Sequence, residues 1–343
     1  MASSITTQQI EKALGTVIEP ELKKDLISLN FIRDIKISGN DVSFTIMLTT
    51  PACPMKDVLK DESTAAIRSH VPEAGNIDIK FDSEVRSDSR IADKLQLPIK
   101  NIIAVSSGKG GVGKTTVAAN MAVCLANEGA RTGILDADIY GPNIPVLMGV
   151  NEPPAQKENK LVPIMAHGVE IMSMGFLVPE AEALVWRGPM LHNAISQLFS
   201  EVLWGELDYL VVDLPPGTGD AQMSLAQLVP LTGGVVVTSP QKIALTDARR
   251  GVTAFNRLEV PILGVVENMS GDVFGRGGGA IIAQEFGIDL LGIIDLHPEM
   301  PKETDNGKPF VVTHPEHEIS KEFVKISRTV AGKISVINST DHQ

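Results

Sequence analysis

The spacing of apolar residues changes several times in the first hundred positions. One stretch carries apolar side chains three and four positions apart, which predicts a helix, and later stretches alternate apolar with polar residues, which predicts strands. The alternating stretches flank the turn-forming run Ser38-Gly39-Asn40-Asp41, which is typical of a hairpin. The pattern therefore predicts a small α+β unit with a helix (7–18), a hairpin (31–37 and 42–48), a second helix (55–70) and a strand (77–81).

The pattern differs after residue 100. Short runs rich in β-branched residues alternate there with helical stretches and with loops rich in glycine and proline. This alternation predicts an α/β domain built on a doubly wound, mostly parallel sheet. A polar stretch, 83–97, ends at Pro98 and suits a linker. We therefore expect two domains, 1–97 and 98–343, the second with predicted strands at 102–105, 132–135, 209–212, 235–238 and 262–266.

Composition limits the possible functions. Of the 343 residues 43% are hydrophobic and the net charge is −12, values typical of a globular, acidic protein. Because neither part has a surplus of Lys and Arg, nucleic acid is not an expected partner. The chain has two cysteines, no apolar run of about 20 residues and no basic-then-apolar opening. These features favour a reducing, cytoplasmic location and disfavour a membrane role.

The strongest chemical signal is a glycine-rich loop between a predicted strand and a predicted helix. It has the G-x-x-x-x-G-K-T pattern of a phosphate-binding loop. Glycines let backbone N–H groups surround phosphates, Lys114 is expected to reach the β- and γ-phosphates, and the Thr115 hydroxyl is a predicted Mg²⁺ ligand. The sequence thus predicts ATP and Mg²⁺ as cofactors, with the nucleotide held by Gly108, Lys109, Gly110, Gly111, Val112, Gly113, Lys114, Thr115 and Thr116.

Two acidic motifs follow later strands of the predicted sheet. The run from Asp136 to Pro142 closes the second strand, and the run from Asp213 to Asp220 ends a strand at 209–212. Ligand-facing loops lie at such strand ends in doubly wound sheets. We therefore expect Asp213 to hold Mg²⁺ and Gly217 to act as a hinge that responds to the γ-phosphate.

A second lysine, Lys109, directly after the first glycine, resembles the deviant Walker A group, which includes division, partition, nitrogenase-iron-protein and arsenite-pump ATPases. That resemblance implies a homodimer in which Lys109 reaches the nucleotide of the other subunit. It also implies that Asp138 orients or deprotonates the attacking water, that Asp136 supports the metal site and that Asn268 contacts adenine. Lys109, Lys114 and Asp138 are then the expected catalytic residues of an ATP hydrolase.

Further motifs are similar to those of the Mrp/ApbC family of iron–sulfur cluster carriers over most of residues 100–335. They are Asp136-Ala137-Asp138-Ile139-Tyr140-Gly141-Pro142, the Asp213–Asp220 run, and Asn268-Met269-Ser270 with the glycine-rich 274–279. The N-terminal unit, with 19–22 and 49–54, resembles the MIP-type assembly domain often fused to that family. The resemblance implies an iron–sulfur cluster as cargo, with apoprotein recipients and assembly scaffolds as partners.

The sequence departs from that family at its cluster site. Many members carry a Cys-x-x-Cys pair between the Asn-Met-Ser run and the glycine-rich segment, and this chain has neither cysteine. Cys53, in a proline-flanked turn before a predicted helix, is the candidate that is left as a cluster ligand. A small, partly buried apolar side chain is the equal alternative for Cys53.

Two other functions stay open at this stage. Apolar residues spaced three and four apart between Ile319 and Ile337, with lysines and Arg328 among them, would suit a membrane-lying helix of a MinD/ParA-like positioning ATPase. A C-terminal helix that covers the flank of the sheet explains the same pattern. The other possibility is a nucleotide-dependent scaffold that holds no cluster.

Overall fold

The chain is described by a computed structural model that covers residues 5–91, 97–139, 141–177, 188–217, 226 and 228–340. It divides into two compact units, Met1–Arg86 with Ala331–Gln343 and Ser87–Val330. The division at residue 97 that the sequence predicts is not tested by this grouping and stays a prediction. Within the described ranges, no helix is both long and apolar enough to cross a membrane.

The second unit is built on an eight-stranded sheet in the order β10-β11-β7-β12-β6-β13-β14-β15. Neighbouring strands are parallel except β10 and β11. All residues of the four central strands β6, β7, β12 and β13 are buried, as expected where helices cover both faces. The strands of this unit are β6 (Ile102–Ser106), β7 (Thr132–Asp136), β8 (Gln156–Lys157), β9 (Lys160–Leu161), β10 (Ile164–Ala166), β11 (Val169–Ser173), β12 (Tyr209–Asp213), β13 (Gly233–Thr238), β14 (Ile262–Ser270) and β15 (Leu290–Asp295).

Helices connect these strands. The helix α3 is apolar nearly all round, and ten of its residues are buried, because it packs against several strands of the sheet. The helices of this part of the chain are α3 (Lys114–Asn127), α4 (Ile144–Leu147), α5 (Gly188–Ser200), α6 (Lys242–Arg257), α7 (Gly278–Phe286), α8 (Glu299–Asp305), α9 (Phe310–Thr313) and α10 (Glu318–Thr340), with a 3₁₀ turn at Met174–Phe176. The residues of α10 from Ala331 onward are grouped with the first unit. The doubly wound α/β fold predicted from the sequence is confirmed.

The first unit has a three-stranded sheet in which β3 and β4 are antiparallel and β4 and β5 are parallel. Two helices contact each other beside it, and a two-stranded ribbon pairs Ile18 with Asp25. Phe44, Ile46 and Leu59 are fully or almost fully buried in its core. The elements are α1 (Thr7–Leu14), β1 (Ile18–Glu19), β2 (Lys24–Asp25), β3 (Ile32–Ser38), β4 (Asp41–Leu48), α2 (Lys56–His70) and β5 (Ile77–Ser83).

The first helix is shorter than the spacing predicts. Thr6 and Gln9 form a reciprocal capping box that fixes its beginning, and the helix ends at Leu14 before Gly15. Val17 is nevertheless buried, because its carbonyl accepts from the backbone N–H of Leu26 and the chain turns into the ribbon. Long-range pairing therefore overrides a helical pattern here.

The apolar stripe of α10 faces inward. Ile319, Phe323, Ile326 and Ile334 are at most 7% exposed. A membrane-lying helix would need this face to be free, so the arrangement favours the packing explanation of the pattern.

Candidate functional site

The glycine-rich loop joins the end of β6 to the start of α3. Gly111 and Gly113 have φ angles of +80° and +79°, in the left-handed region that side chains other than glycine rarely adopt. Gly113 also lies so close to the Asn268 side chain that a Cβ atom would overlap it. Gly108 packs directly against the backbone of Asp247 in α6, which leaves no room for a side chain. The glycines are therefore required by backbone shape and by packing.

Lys114, Thr115 and Asp213 converge at the start of α3. The Lys114 Nζ lies 2.6 Å from Asp213 Oδ1, and the Thr115 hydroxyl donates to Asp213 Oδ2 at 2.7 Å. Both Lys114 and Asp213 are buried, with Asp213 fully enclosed. Burial raises the pKa of Asp213, and the positive charge of Lys114 opposes that rise.

Asp138 joins this group from the loop after β7. Its Oδ2 lies 3.7 Å from Lys114 Nζ, and the residue is 7% exposed. A cleft of about 400 Å³ opens in front of these side chains. It is lined by Ser107, Gly110, Gly111, Gly113, Lys114, Thr115, Asp138, Gly141, Asn143 and Pro216.

Asp136 lies behind the cleft and is fully buried. Its Oδ1 accepts from the backbone N–H of Asp138 at 3.1 Å, and its Oδ2 accepts from Ile144 N–H at 3.1 Å and from the Ser173 hydroxyl at 3.0 Å. Burial, followed by the nearby charge of Asp213, raises the pKa of Asp136 to about 7. Both carboxylate oxygens are thus engaged within the protein, which favours a positioning role; the predicted metal role of Asp136 stays a prediction.

The loop after β12 approaches the glycine-rich loop through its backbone. Gly217 has a φ of +93°, and its N–H donates to the Ser107 carbonyl at 2.9 Å. Ser107 also donates its hydroxyl to the Lys109 carbonyl at 2.9 Å, so one serine contacts both loops. Tyr140 of the first acidic motif and Thr218, Gly219 and Asp220 of the second lie outside the described residues.

Asn268 reaches the glycine-rich loop from the end of β14. Its Nδ2 donates to the Val112 carbonyl at 2.9 Å, and the residue is 2% exposed. The adenine contact that the family resemblance implies for Asn268 stays a prediction. The structure places Asn268 at the base of the loop, where its hydrogen bond to Val112 leaves Oδ1 unused by that bond. Lys109, by contrast, is exposed on the surface of the loop.

Neither cysteine is well exposed. Cys124 is 1% exposed within α3, and burial raises the pKa of its thiol to about 12. Cys53 is 7% exposed and belongs to the apolar core of the first unit, just before α2. In the parts of the chain that the structure describes, no group of three or more His, Cys, Asp or Glu side chains could hold a metal ion. Cys53 as a cluster ligand therefore stays a prediction, and its burial favours the alternative of core packing.

A short hairpin occupies the place where many family members carry the cysteine pair. Gly271 and Gly275 exchange two backbone hydrogen bonds of 2.9 and 2.7 Å, and Val273 at the tip is 72% exposed. The carboxylate of Glu267, which is fully buried, accepts from the backbone N–H groups of Gly277 and Gly279 and so fixes the segment that follows.

Three residues of this region were missed by sequence reasoning. Ser173 holds Asp136, Glu267 orders the glycine-rich segment beside Asn268, and Asn143 lines the cleft and donates to the Gly141 carbonyl at 2.7 Å. Glu267 and Asn143 lie next to recognised motifs, so their positions in the sequence could have marked them as candidate site residues. Nothing in the sequence marked Ser173 as a candidate site residue, because it reaches the site from a strand that the pattern did not predict.

Comparison with protein families agrees with this geometry. Residues 98–331 match the model of the NUBPL iron-transfer P-loop NTPases. The chain belongs to this family. Residues 7–79 of this NUBPL-type NTPase also match the model of iron–sulfur cluster assembly proteins.

Relatives of known name cover almost the whole NUBPL-type chain. A protein from Synechocystis sp. named an iron–sulfur cluster carrier protein is 44% identical over an alignment of 349 positions, which covers 97% of this chain and 99% of that protein.

Solved structures match the P-loop unit of this NUBPL-type NTPase. The nucleotide-binding protein from Archaeoglobus fulgidus in complex with ADP is 34% identical, with a TM-score of 0.57 over 68% of this chain and 95% of its own. The septum site-determining protein MinD from Pyrococcus horikoshii, complexed with Mg-ADP, is 25% identical, with a TM-score of 0.54 over 66% of this chain and 94% of its own.

Proposed function

We propose that this protein is an ATPase that works as a homodimer and couples Mg²⁺-dependent ATP hydrolysis to the transfer of iron–sulfur clusters to apoproteins. The observation that carries the proposal is the convergence of Lys114, Thr115, Asp138 and Asp213 on one cleft, in a chain whose full-length relatives are named cluster carriers.

Nucleotide binding would depend on backbone and side-chain groups at the beginning of α3. The N–H groups of the loop and of the first helical turn would surround the phosphates, and Lys114 would contribute a positive charge. Asn268 uses Nδ2 to hold Val112, so its Oδ1 would be the atom that accepts from the adenine amino group.

The residues present fit a magnesium ion. A hydroxyl and a carboxylate, Thr115 Oγ1 and Asp213 Oδ2, lie 2.7 Å apart, and hard oxygen ligands of this kind are those that Mg²⁺ prefers. When bound, the ion would neutralise charge on the phosphate oxygens. Asp213 would then bind the metal and give up part of its interaction with Lys114.

Asp138 is the carboxylate best placed to act on the attacking water. Asp138 lines the cleft next to Lys114, and Asp136 holds it by accepting a hydrogen bond from its backbone N–H. Asp138 would orient the water and accept its proton as the water oxygen attacks the γ-phosphorus and the bond to the β-phosphate oxygen breaks. Lys109, which is exposed, would act on the nucleotide of the second subunit.

The cluster would be the cargo of the reaction, and Cys53 and Cys124 are the only thiols that this chain could offer it. Cys124 is a poor ligand, because its thiolate is disfavoured by burial. Cys53 would need the turn at 49–54 to open before its sulfur could bind iron. We therefore assign any thiolate ligation by this chain to Cys53, with further ligands supplied by a recipient, a scaffold or a small thiol.

Anaerobic reconstitution with iron and sulfide tests this assignment. Wild type, Cys53→Ser and the matched control Cys124→Ala are freed of unbound iron and then mixed with an apo-ferredoxin, with and without ATP. The proposal expects cluster transfer by wild type and Cys124→Ala that ATP accelerates, and loss of transfer in Cys53→Ser. Transfer that is equal in all three proteins would remove Cys53 from the path, and no transfer by wild type would contradict the carrier function.

The membrane-positioning alternative is not favoured, because the apolar face of α10 is buried. Co-sedimentation with vesicles of anionic phospholipid provides the direct test. We expect wild type to stay in the supernatant with ADP and with a slowly hydrolysed ATP analogue.

A further inference from the structure

Asp136 connects the two ends of the loop that carries Asp138. One of its carboxylate oxygens accepts from Asp138 N–H and the other from Ile144 N–H, each at 3.1 Å. The residues between them include Gly141 and Asn143 of the cleft lining. The position of the described residues of this loop, 137–139 and 141–144, therefore depends on where the Asp136 side chain is held.

Ser173 holds that side chain from the neighbouring strand. β11 pairs with β7 so that Ser173 lies opposite Asp136, and the serine hydroxyl donates to Asp136 Oδ2 at 3.0 Å. The same hydroxyl accepts from Gly175 N–H at 2.9 Å, which fixes the direction of its proton. Ser173 is fully buried and lies behind Asp136, away from the cleft lining.

The 3₁₀ turn that follows β11 touches the loop at a second point. Gly175 packs against Pro142 so closely that a Cβ atom at position 175 would lie 3.1 Å from two carbons of the proline ring. Ser173 and Gly175 therefore restrain the loop from the same side, one by a hydrogen bond and the other by contact.

We propose that Ser173 is a positioning residue for ATP hydrolysis: through Asp136 it holds residues 137–139 and 141–144 where Asp138 can act on water. The inference rests on the proposed ATPase function. A small displacement of a reacting group can slow the chemical step strongly. A displaced Asp138 would weaken nucleotide binding much less, because the glycine-rich loop provides the binding groups. ADP affinity, set by the glycine-rich loop, is expected to be insensitive to this serine.

The test compares Ser173→Ala with Ser335→Ala, a control that removes another buried serine hydroxyl, one bonded within its own helix. We expect Ser173→Ala to lower kcat about tenfold, the scale of one lost hydrogen bond, with ADP Kd within about twofold of wild type. Ser335→Ala should leave both unchanged. A kcat within twofold of wild type, or an equal loss of kcat and of ADP affinity, would overturn the proposal.

Two further measurements keep the inference separate from the ATPase function and from misfolding. Amide hydrogen exchange at Asp138 and Ile144 should be faster in Ser173→Ala than in wild type, and unchanged rates there would contradict the restraint even if wild type proved unable to hydrolyse ATP. Gly175→Ala removes no hydrogen-bonding group and adds a methyl group 3.1 Å from two Pro142 carbons and 3.2 Å from the Ser173 hydroxyl oxygen, so it disturbs both restraints at once. It should lower kcat and spare ADP binding, and retention of full kcat would count against the restraint by Ser173 and Gly175.

Discussion

The ammonium group of Lys114 lies 2.6 Å from a carboxylate oxygen of Asp213, although the two residues are 99 positions apart in the chain. Both side chains are buried, and Thr115 and Asp138 are the other polar groups placed beside them. A buried ion pair is costly to break on one side, since the remaining charge is left in a medium that solvates it poorly. The pair therefore makes the nucleotide site and the stability of the sheet depend on each other.

A double-mutant cycle measures that dependence. We expect Lys114→Met to lower the free energy of unfolding by roughly 3–5 kcal/mol, the usual cost of leaving one partner of a buried pair alone. Adding Asp213→Asn to Lys114→Met should restore a large part of it, because no unpaired charge is then buried. Urea unfolding of wild type, both single variants and the double variant gives the coupling energy, and additive losses would contradict the pairing.

Asp138 is predicted to contribute to hydrolysis and little to binding. We expect Asp138→Asn to reduce kcat by about 10²–10⁴, the range typical for a lost general base, because the amide cannot accept a proton from water. ADP Kd should change by less than about threefold, since the loop and Lys114 are intact. Phosphate release measures kcat and calorimetric titration measures the ADP Kd. Asp272→Asn, in the exposed hairpin, is the matched control.

Gly113 and Gly287 provide a matched pair of left-handed glycines. Both have positive φ, but a Cβ atom at Gly113 would overlap the Asn268 amide, whereas Gly287 has no atom within 4 Å of that position. We expect Gly287→Ala to cost about 1 kcal/mol from backbone strain alone. Gly113→Ala should cost more and should also abolish detectable ADP binding, and equal effects in thermal unfolding would show that the Asn268 contact is unimportant.

Cys124 predicts a pH dependence of stability. Its thiol has a pKa of about 12 in the folded protein against 9.0 for an ordinary thiol, because burial disfavours the thiolate. The unfolded chain therefore binds fewer protons than the folded one above pH 9, so this group's contribution is complete below pH 9 and is lost as pH rises towards 12.

The loss attributable to Cys124 approaches about 1.4 kcal/mol for each pH unit within that window. Urea unfolding at pH 8 and pH 10.5 should show a steeper decline for wild type than for Cys124→Ala. The comparison cancels the titration of lysines and tyrosines, which both proteins share. Parallel declines would mean that the thiol is accessible to solvent in the folded state.

Local sequence was sufficient for much of the fold and for the phosphate loop. The hairpin at β3 and β4, the helix α2 and the buried strands β6, β7 and β12 follow from residue spacing and turn residues alone. The loop from Gly108 to Thr116 could be found because all its requirements, flexible glycines, one lysine and one hydroxyl, are neighbours in sequence. The family assignment followed from such contiguous motifs.

Only the tertiary structure decided which distant side chains meet. Asp213 contacts Lys114, Ser173 holds Asp136 and Asn268 holds Val112 because parallel strands bring their carboxyl ends to one edge of the sheet, whatever the separation along the chain. Burial likewise separated the two explanations of the C-terminal apolar stripe and removed both thiols from the surface. Sequence periodicity records that a face is apolar, and only packing determines what covers that face.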